Sequence, residues 1–159
     1  MTGAFVGGEA DFTTAFEPTG TALEKDGTGY IVTSIGQDSG EIPYTAYSTT
    51  KTFISENEDL LQRFTNAVYK GQLWVQSASD EEVAKAMQPF FTDISQDDLV
   101  SVVKRYKEVD AWSKDPMLKE ESLNKLMAVM KEAKELDKEP PYKDIVNTDF
   151  ANNAIKNIK

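Results

Sequence analysis

Gly7–Pro18, with the sequence GGEADFTTAFEP, is the stretch that decides the predicted fold. It is typical of a β-strand that runs directly into a helix, and Gly29–Ile35 follows as a second predicted strand rich in β-branched residues. A strand, a short helix and a strand in this order are typical of a parallel sheet. We therefore predict an α/β fold: a strand-helix-strand (βαβ) remnant, one more strand at Tyr44–Thr49, and then a helix-rich remainder.

The remainder of the chain has the pattern of amphipathic helices. From Ser55 onward, apolar residues recur at intervals of three and four residues. Ser79 and Ser95 are each followed three residues later by an acidic residue, which predicts two helix N-termini. Gly27 predicts the end of the helix that opens near Pro18. We place a boundary or hinge near Pro43.

The composition argues against a nucleic-acid partner. The chain has 27 acidic and 17 basic residues and a net charge of −10, whereas phosphate binding needs a concentrated basic face. The basic group Lys104–Lys107 lies among carboxylates and is interpreted as a solvated helix face. No run of apolar residues has the length of a membrane span, and no signal-peptide pattern opens the chain.

The chain contains no histidine and no cysteine. Their absence removes the commonest general base, thiolate nucleophiles and most transition-metal sites. Neither a phosphate-binding loop nor a calcium-loop motif occurs. We therefore expect no enzymatic activity, no cofactor and no metal; an enzyme with Glu17 as its acid/base group is the least favoured alternative.

Five residues are candidates for ligand binding. Phe16 and Glu17 lie at the carboxyl end of a predicted parallel strand, where α/β proteins place ligands, and at the start of a helix that offers N–H groups to an anion. Alternatively, Phe16 is a core residue and Glu17 only begins the helix. Tyr44 and Thr45 lie beside the predicted hinge, or are simply strand residues. Trp112 is either a packing anchor or an aromatic residue of a cleft.

An ordered set of segments resembles the solute-binding proteins of ABC importers, specifically the nitrate/sulfonate/taurine type, which includes binders of thiamine-pyrimidine precursors. The resemblance covers nearly the whole chain. It lies in Thr2–Pro18 (TGAFVGGEADFTTAFEP), Ile42–Tyr47 (IPYTAY), Ile54–Ala67 (ISENEDLLQRFTNA), Tyr69–Val75 (YKGQLWV), Asp110–Trp112 (DAW) and Ile145–Ala151 (IVNTDFA).

The resemblance implies the C-terminal portion of a type II periplasmic-binding-protein fold. Residues 1–43 would be the remnant of the second lobe with the hinge, and residues 44–159 the C-terminal part of the first lobe. A protein of this type binds a small organic or anionic solute, such as a sulfonate, nitrate, taurine or a pyrimidine precursor. It works outside the cytoplasm, at the cell surface or in the periplasm, and delivers the solute to a permease without chemistry. The chain is expected to be a truncated form that lacks its signal segment.

In such a protein, Phe16 and Glu17 would line the cleft from one lobe and Tyr44 and Thr45 from the hinge side, with Trp112 as a further cleft residue. The expected partners are the solute and the permease subunits, and this truncated form would form a homodimer through strand or domain exchange. The alternative from another class is a stand-alone helical protein-interaction module without a ligand cleft.

Overall fold

The computed structural model describes residues 1–158, and in that range the chain forms helices and irregular connections but no β-strand. The α-helices are α1 Thr2–Val6, α2 Thr19–Lys25, α3 Ile35–Ser39, α4 Lys51–Glu56, α5 Glu58–Ser77, α6 Asp80–Met87, α7 Gln96–Glu108, α8 Glu120–Glu132, α9 Tyr142–Ile145 and α10 Asp149–Asn157, and a 3₁₀ turn covers Gln88–Phe90. The prediction of an α/β fold, with its sheet-based type II binding-protein architecture, is therefore wrong for the described residues.

The first predicted strand fails because its glycines end a helix. Gly8 has a positive φ of 76°, and the N–H of Glu9 donates to the carbonyl of Ala4 at 2.8 Å. A left-handed glycine followed by this hydrogen bond is the usual way for an α-helix to stop. The chain then continues irregularly as far as α2, and the Glu17–Pro18 peptide bond is cis.

The other two predicted strands find no strand partner among residues 1–158. In the segment that precedes α3, the N–H of Ile31 donates to the side chain of Glu24 at 3.2 Å, and Tyr30 is 85% exposed. In the segment that precedes α4, the ring of Tyr47 packs edge-on against Phe64 of α5, with centroids 4.8 Å apart. Strand propensity reflects how well a residue fits a half-buried pleated surface. Without such a surface, both segments stay irregular.

The chain divides into two compact units. Unit 1 comprises residues 1–38 and 78–111, and unit 2 comprises residues 39–77 with residues from 112 onward. The predicted lobes, residues 1–43 and 44–159, refer to a longer protein and stay a prediction.

Unit 1 has its core between α6 and α7. Ser95 caps α7 by accepting the N–H of Asp98 at 3.2 Å, and Ser79 and Glu82 form a reciprocal capping box at the start of α6. Both predicted N-termini are confirmed. The apolar faces of the two helices then bury Val83, Ala84, Leu99, Val102 and Val103.

Unit 2 has its core where α10 lies along α5. Ala151 and Ala154 of α10 are buried, and the side-chain amide of Gln62 on α5 donates to the carbonyl of Phe150 at 3.0 Å. Met127 of α8 is also buried. Small residues on α10 allow the two helices to approach closely.

Among residues 1–158, no helix combines the length and the apolar character needed to cross a lipid bilayer.

Candidate functional site

Glu17 of unit 1 has a buried carboxylate that accepts two hydrogen bonds. Its side chain is only 4% exposed. One carboxylate oxygen accepts from Arg105 Nη1 at 2.9 Å, and the other accepts the backbone N–H of Thr21 at 2.9 Å. The backbone N–H of Glu17 donates to the hydroxyl of Tyr106 at 3.2 Å. Consecutive residues of α7 therefore hold both the backbone and the side chain of Glu17.

Arg105 connects α7 to two carboxylates at once. Its Nη2 donates to Oε2 of Glu24 at 2.8 Å, while Nη1 holds Glu17. The backbone N–H of Ile31 donates to Glu24 and, together with Arg105, holds the pKa of that carboxyl below its ordinary value. A planar guanidinium suits this double contact because its N–H groups point in fixed, diverging directions.

A second ion pair links the same two helices. Lys25, at the end of α2, donates to both carboxylate oxygens of Asp98 at 2.9 Å. The hydroxyl of Ser95 and then Lys25 lower the pKa of Asp98, and the hydrogen bond with Asp98 raises the pKa of Lys25. The pair is solvated at its Lys25 end, so we assign it little net stability.

The two ion pairs border a shallow depression between α2 and α7. It has a volume of about 500 Å³ and also includes Thr21, Tyr30 and Ser101 in its wall. Its volume alone is within the range of small-molecule sites, roughly 300–1,000 Å³, but it is wide open to solvent. It is the larger of two neighbouring depressions on α7; the smaller adds Lys104 and Glu108.

Two of the five predicted site residues lie in unit 1. Phe16 precedes the cis peptide bond and its side chain is 63% exposed. Glu17 is buried against Arg105. The Glu17 carboxylate joins the first turn of α2 to α7 through Thr21 and Arg105. The adjacent Phe16 ring is exposed and therefore accessible to a ligand.

The other three predicted residues lie in unit 2. Tyr44 and Thr45 are exposed in the irregular segment that precedes α4, and Trp112 is half-buried just after unit 1 ends. The five residues are divided between two units, and a cleft that they share stays a prediction.

Arg105 is the important residue that the sequence interpretation missed. The group Lys104–Lys107 was expected to form a solvated helix face, but Arg105 is only 28% exposed and holds two carboxylates. Its partners are 81 and 88 residues away in the chain, so no local spacing rule could have identified them. A weak signal was its position three residues after the apolar Val102, which places both residues on the same side of a helix.

Comparison with known proteins gives one informative similarity. The chain is 36% identical over 148 residues to the protein named "Putative binding protein YtlA" of Bacillus subtilis (strain 168). The alignment covers 93% of this chain and 44% of that protein, so the chain spans less than half the length of this relative. No family model matches the chain, and no solved structure matches it. The relative is named as a binding protein, and its name specifies no ligand.

Proposed function

We propose that this chain is part of the extracytoplasmic solute-binding component of an ABC importer. It binds a small organic or anionic solute, such as a sulfonate, nitrate, taurine or a pyrimidine precursor, and hands it to permease subunits without chemical change. The observation that supports this proposal most is the 36% identity to a protein named as a binding protein along 93% of the chain. The proposal does not depend on a β-sheet.

In unit 1, the candidate contact with the solute is the exposed Phe16 ring. The carboxylate of Glu17 next to it accepts two hydrogen bonds within the unit. In unit 2, the exposed Tyr44 and Thr45 offer a phenol and a hydroxyl, and Trp112 offers a flat ring. Aromatic rings and polar groups of this kind are common in small-molecule sites.

The direct test is isothermal titration calorimetry of the 159-residue chain. The probes are sodium nitrate, taurine, methanesulfonate and 4-amino-5-hydroxymethyl-2-methylpyrimidine. The proposal predicts saturable one-to-one binding of at least one of the four. If none of them produces binding heat at millimolar concentration, the proposed solute classes are wrong.

A matched pair of variants then locates the site. Phe16→Ala and Phe90→Ala each remove an exposed phenylalanine from unit 1. We expect Phe16→Ala to weaken binding of the responding probe about tenfold, and Phe90→Ala to leave it unchanged. Equal effects of the two substitutions would exclude Phe16 from the site.

The proposal also includes location and self-association. Fractionation of cells that express the native gene should recover the protein outside the cytoplasm. Size-exclusion chromatography with light scattering should show a homodimer, because Tyr47 exposes its ring on a segment that carries strand-forming residues. A monomer at all concentrations would exclude dimerisation. It would not affect the solute-binding proposal, which calorimetry tests separately.

One observation favours the helical interaction module as a second candidate. Leu60, Phe64 and Trp74 of α5 are all between 42% and 47% exposed. A protein partner that covers this apolar face would account for it. Absence of binding to all four solutes, together with loss of a protein complex in a Phe64→Ser variant, would favour this candidate.

A further inference from the structure

The depression between α2 and α7 contains a buried hydroxyl with no partner. Thr21 lies in its wall and is 8% exposed, and no group among residues 1–158 forms a hydrogen bond with its Oγ1. A buried hydroxyl without a hydrogen bond is unfavourable. Threonine populates two side-chain rotamers in helices. Rotation of Thr21 into the depression would break no hydrogen bond.

The charged groups that border the depression are all paired. Arg105 is paired with Glu24 and with the buried Glu17, and Lys25 is paired with Asp98. An anionic ligand would have to compete with these three carboxylates for their cations, and a cationic ligand would have to compete with Arg105 and Lys25 for the carboxylates. A neutral ligand leaves these ion pairs intact, so the site favours neutral ligands.

The paired groups still have hydrogen-bonding capacity to spare. A guanidinium has five N–H groups, and Arg105 uses Nη1 for Glu17 and Nη2 for Glu24. Ser101 donates its hydroxyl hydrogen to the carbonyl of Asp97, which leaves its oxygen as an acceptor. A ligand with several hydroxyl groups can donate and accept at once, which this mixture of donors and acceptors requires.

Tyr30 gives the depression an apolar surface. Its side chain is 85% exposed while it lies in the wall. Aromatic rings offer a flat apolar face beside a polar tip. The C–H face of a sugar ring can stack on such a surface while the sugar hydroxyls contact the polar wall.

We infer that the α2–α7 depression binds a small neutral polyhydroxylated compound of hexose size. Thr21 and Ser101 contact its hydroxyls, Arg105 donates to it, and Tyr30 stacks on its ring. This inference goes beyond the proposed solute function, because its site is distinct from the exposed Phe16 ring and from Tyr44. Failure of either proposal therefore leaves the other untouched.

The test uses three sugars of the same ring size and different charge. Backbone amide signals of the full chain are followed by NMR during titration with D-glucose, D-glucuronate and D-glucosamine. We expect glucose to shift the signals of Thr21, Tyr30 and Ser101, and the two charged sugars to bind at least about threefold more weakly. Tighter binding of a charged sugar, shifts confined to other residues, or no shifts with glucose would overturn the inference.

Substitution of Thr21 separates a binding role from a structural one. Thr21→Val keeps the shape and removes the unpartnered hydroxyl. We expect the thermal midpoint to stay the same or rise, while glucose affinity falls about fivefold. A lowered midpoint with unchanged affinity would overturn the role of Thr21.

Tyr30 offers a second variant with a neighbouring control. Tyr30→Ala removes the stacking ring, and Val32→Ala shortens a similarly exposed side chain, 75% exposed, two residues away. The expected result is loss of glucose binding in Tyr30→Ala alone. Equal binding in the two variants would contradict the stacking.

Discussion

Helices α7 and α5 have the same kind of sequence pattern and different surroundings. Both carry apolar residues at intervals of three and four. In unit 1, α7 buries Leu99, Val102 and Val103 completely against α6, whereas α5 in unit 2, the longest helix, has no buried residue. The apolar face of α5 is covered only in part, by α10 and by the ring of Tyr47 against Phe64. The periodicity predicts that a helix forms, but it does not say how much of its apolar face the chain covers.

The difference extends to charged residues. Arg105 on α7 holds the buried Glu17, 88 residues away, whereas Arg63 on α5 pairs, among residues 1–158, with its exposed helical neighbour Asp59. Helix α5 also leaves more of its apolar face exposed than α7 does. Matched substitutions on α7 and α5 test this contrast.

The largest effect is expected from the leucines. Leu99→Ala empties a fully buried position on α7 and should lower the free energy of unfolding by about 2–5 kcal/mol. Leu60→Ala, at a half-exposed position on α5, should lower it by about 1 kcal/mol or less. Urea denaturation followed by circular dichroism measures both. Similar losses would show that α5 is as well covered as α7.

The next effect concerns the arginines. Arg105→Met leaves the carboxylate of Glu17 buried beside Thr21 without its cation and should lower the free energy of unfolding by about 2 kcal/mol. Arg63→Met removes an exposed pair and should change it by less than about 0.5 kcal/mol. Combining Arg105→Met with Glu17→Gln should recover part of the loss. If it does not, the two residues are energetically independent.

These contacts show how far the sequence could predict the fold. Local signals worked: Ser79 and Ser95 cap helices, and Gly27, with a φ of 70°, ends α2. Their partners lie within a few residues, so a short window contains the whole interaction. The strand predictions failed because a strand needs a distant partner, and the N–H of Ile31 is taken instead by the side chain of Glu24.

The candidate site was predictable only in part, for the same reason. Glu17 was identified from its position at the start of a helix, but its burial depends on Arg105, 88 residues away. Thr21 has no motif around it, and its unpartnered hydroxyl is visible only once α2 is packed against α7. The sequence could therefore suggest the helix start but not the depression beside it.

A smaller effect is expected at a helix cap. Ser79→Ala removes the hydroxyl that accepts the N–H of Glu82 and should lower the free energy of unfolding by about 1 kcal/mol. Ser55→Ala is the control in unit 2, because the hydroxyl of Ser55 donates only to the carbonyl of Thr52 within its helix. Urea titration distinguishes the two. An equal loss of stability in Ser55→Ala would show that the Ser79 cap contributes no more than the hydrogen bond of Ser55 within its helix.

The smallest effect is a pH dependence carried by Glu24. Its pKa is lowered in the folded chain from an ordinary value of 4.5. The stabilisation is therefore complete above the unfolded pKa and is lost as the pH falls below 4.5 through the folded value. Thermal midpoints of wild type and Glu24→Gln should converge as the pH falls through this range. A constant difference between them would mean that Glu24 contributes no pH-dependent stability.

Native mass spectrometry of the 159-residue chain tests directly whether it binds a small molecule. The chain is equilibrated in turn with nitrate, taurine, methanesulfonate, the hydroxymethyl pyrimidine and D-glucose at millimolar concentration. A binding function predicts a saturable one-to-one adduct with at least one of them, weakened by Phe16→Ala or Thr21→Val. The bare mass under every condition would contradict small-molecule binding by this chain.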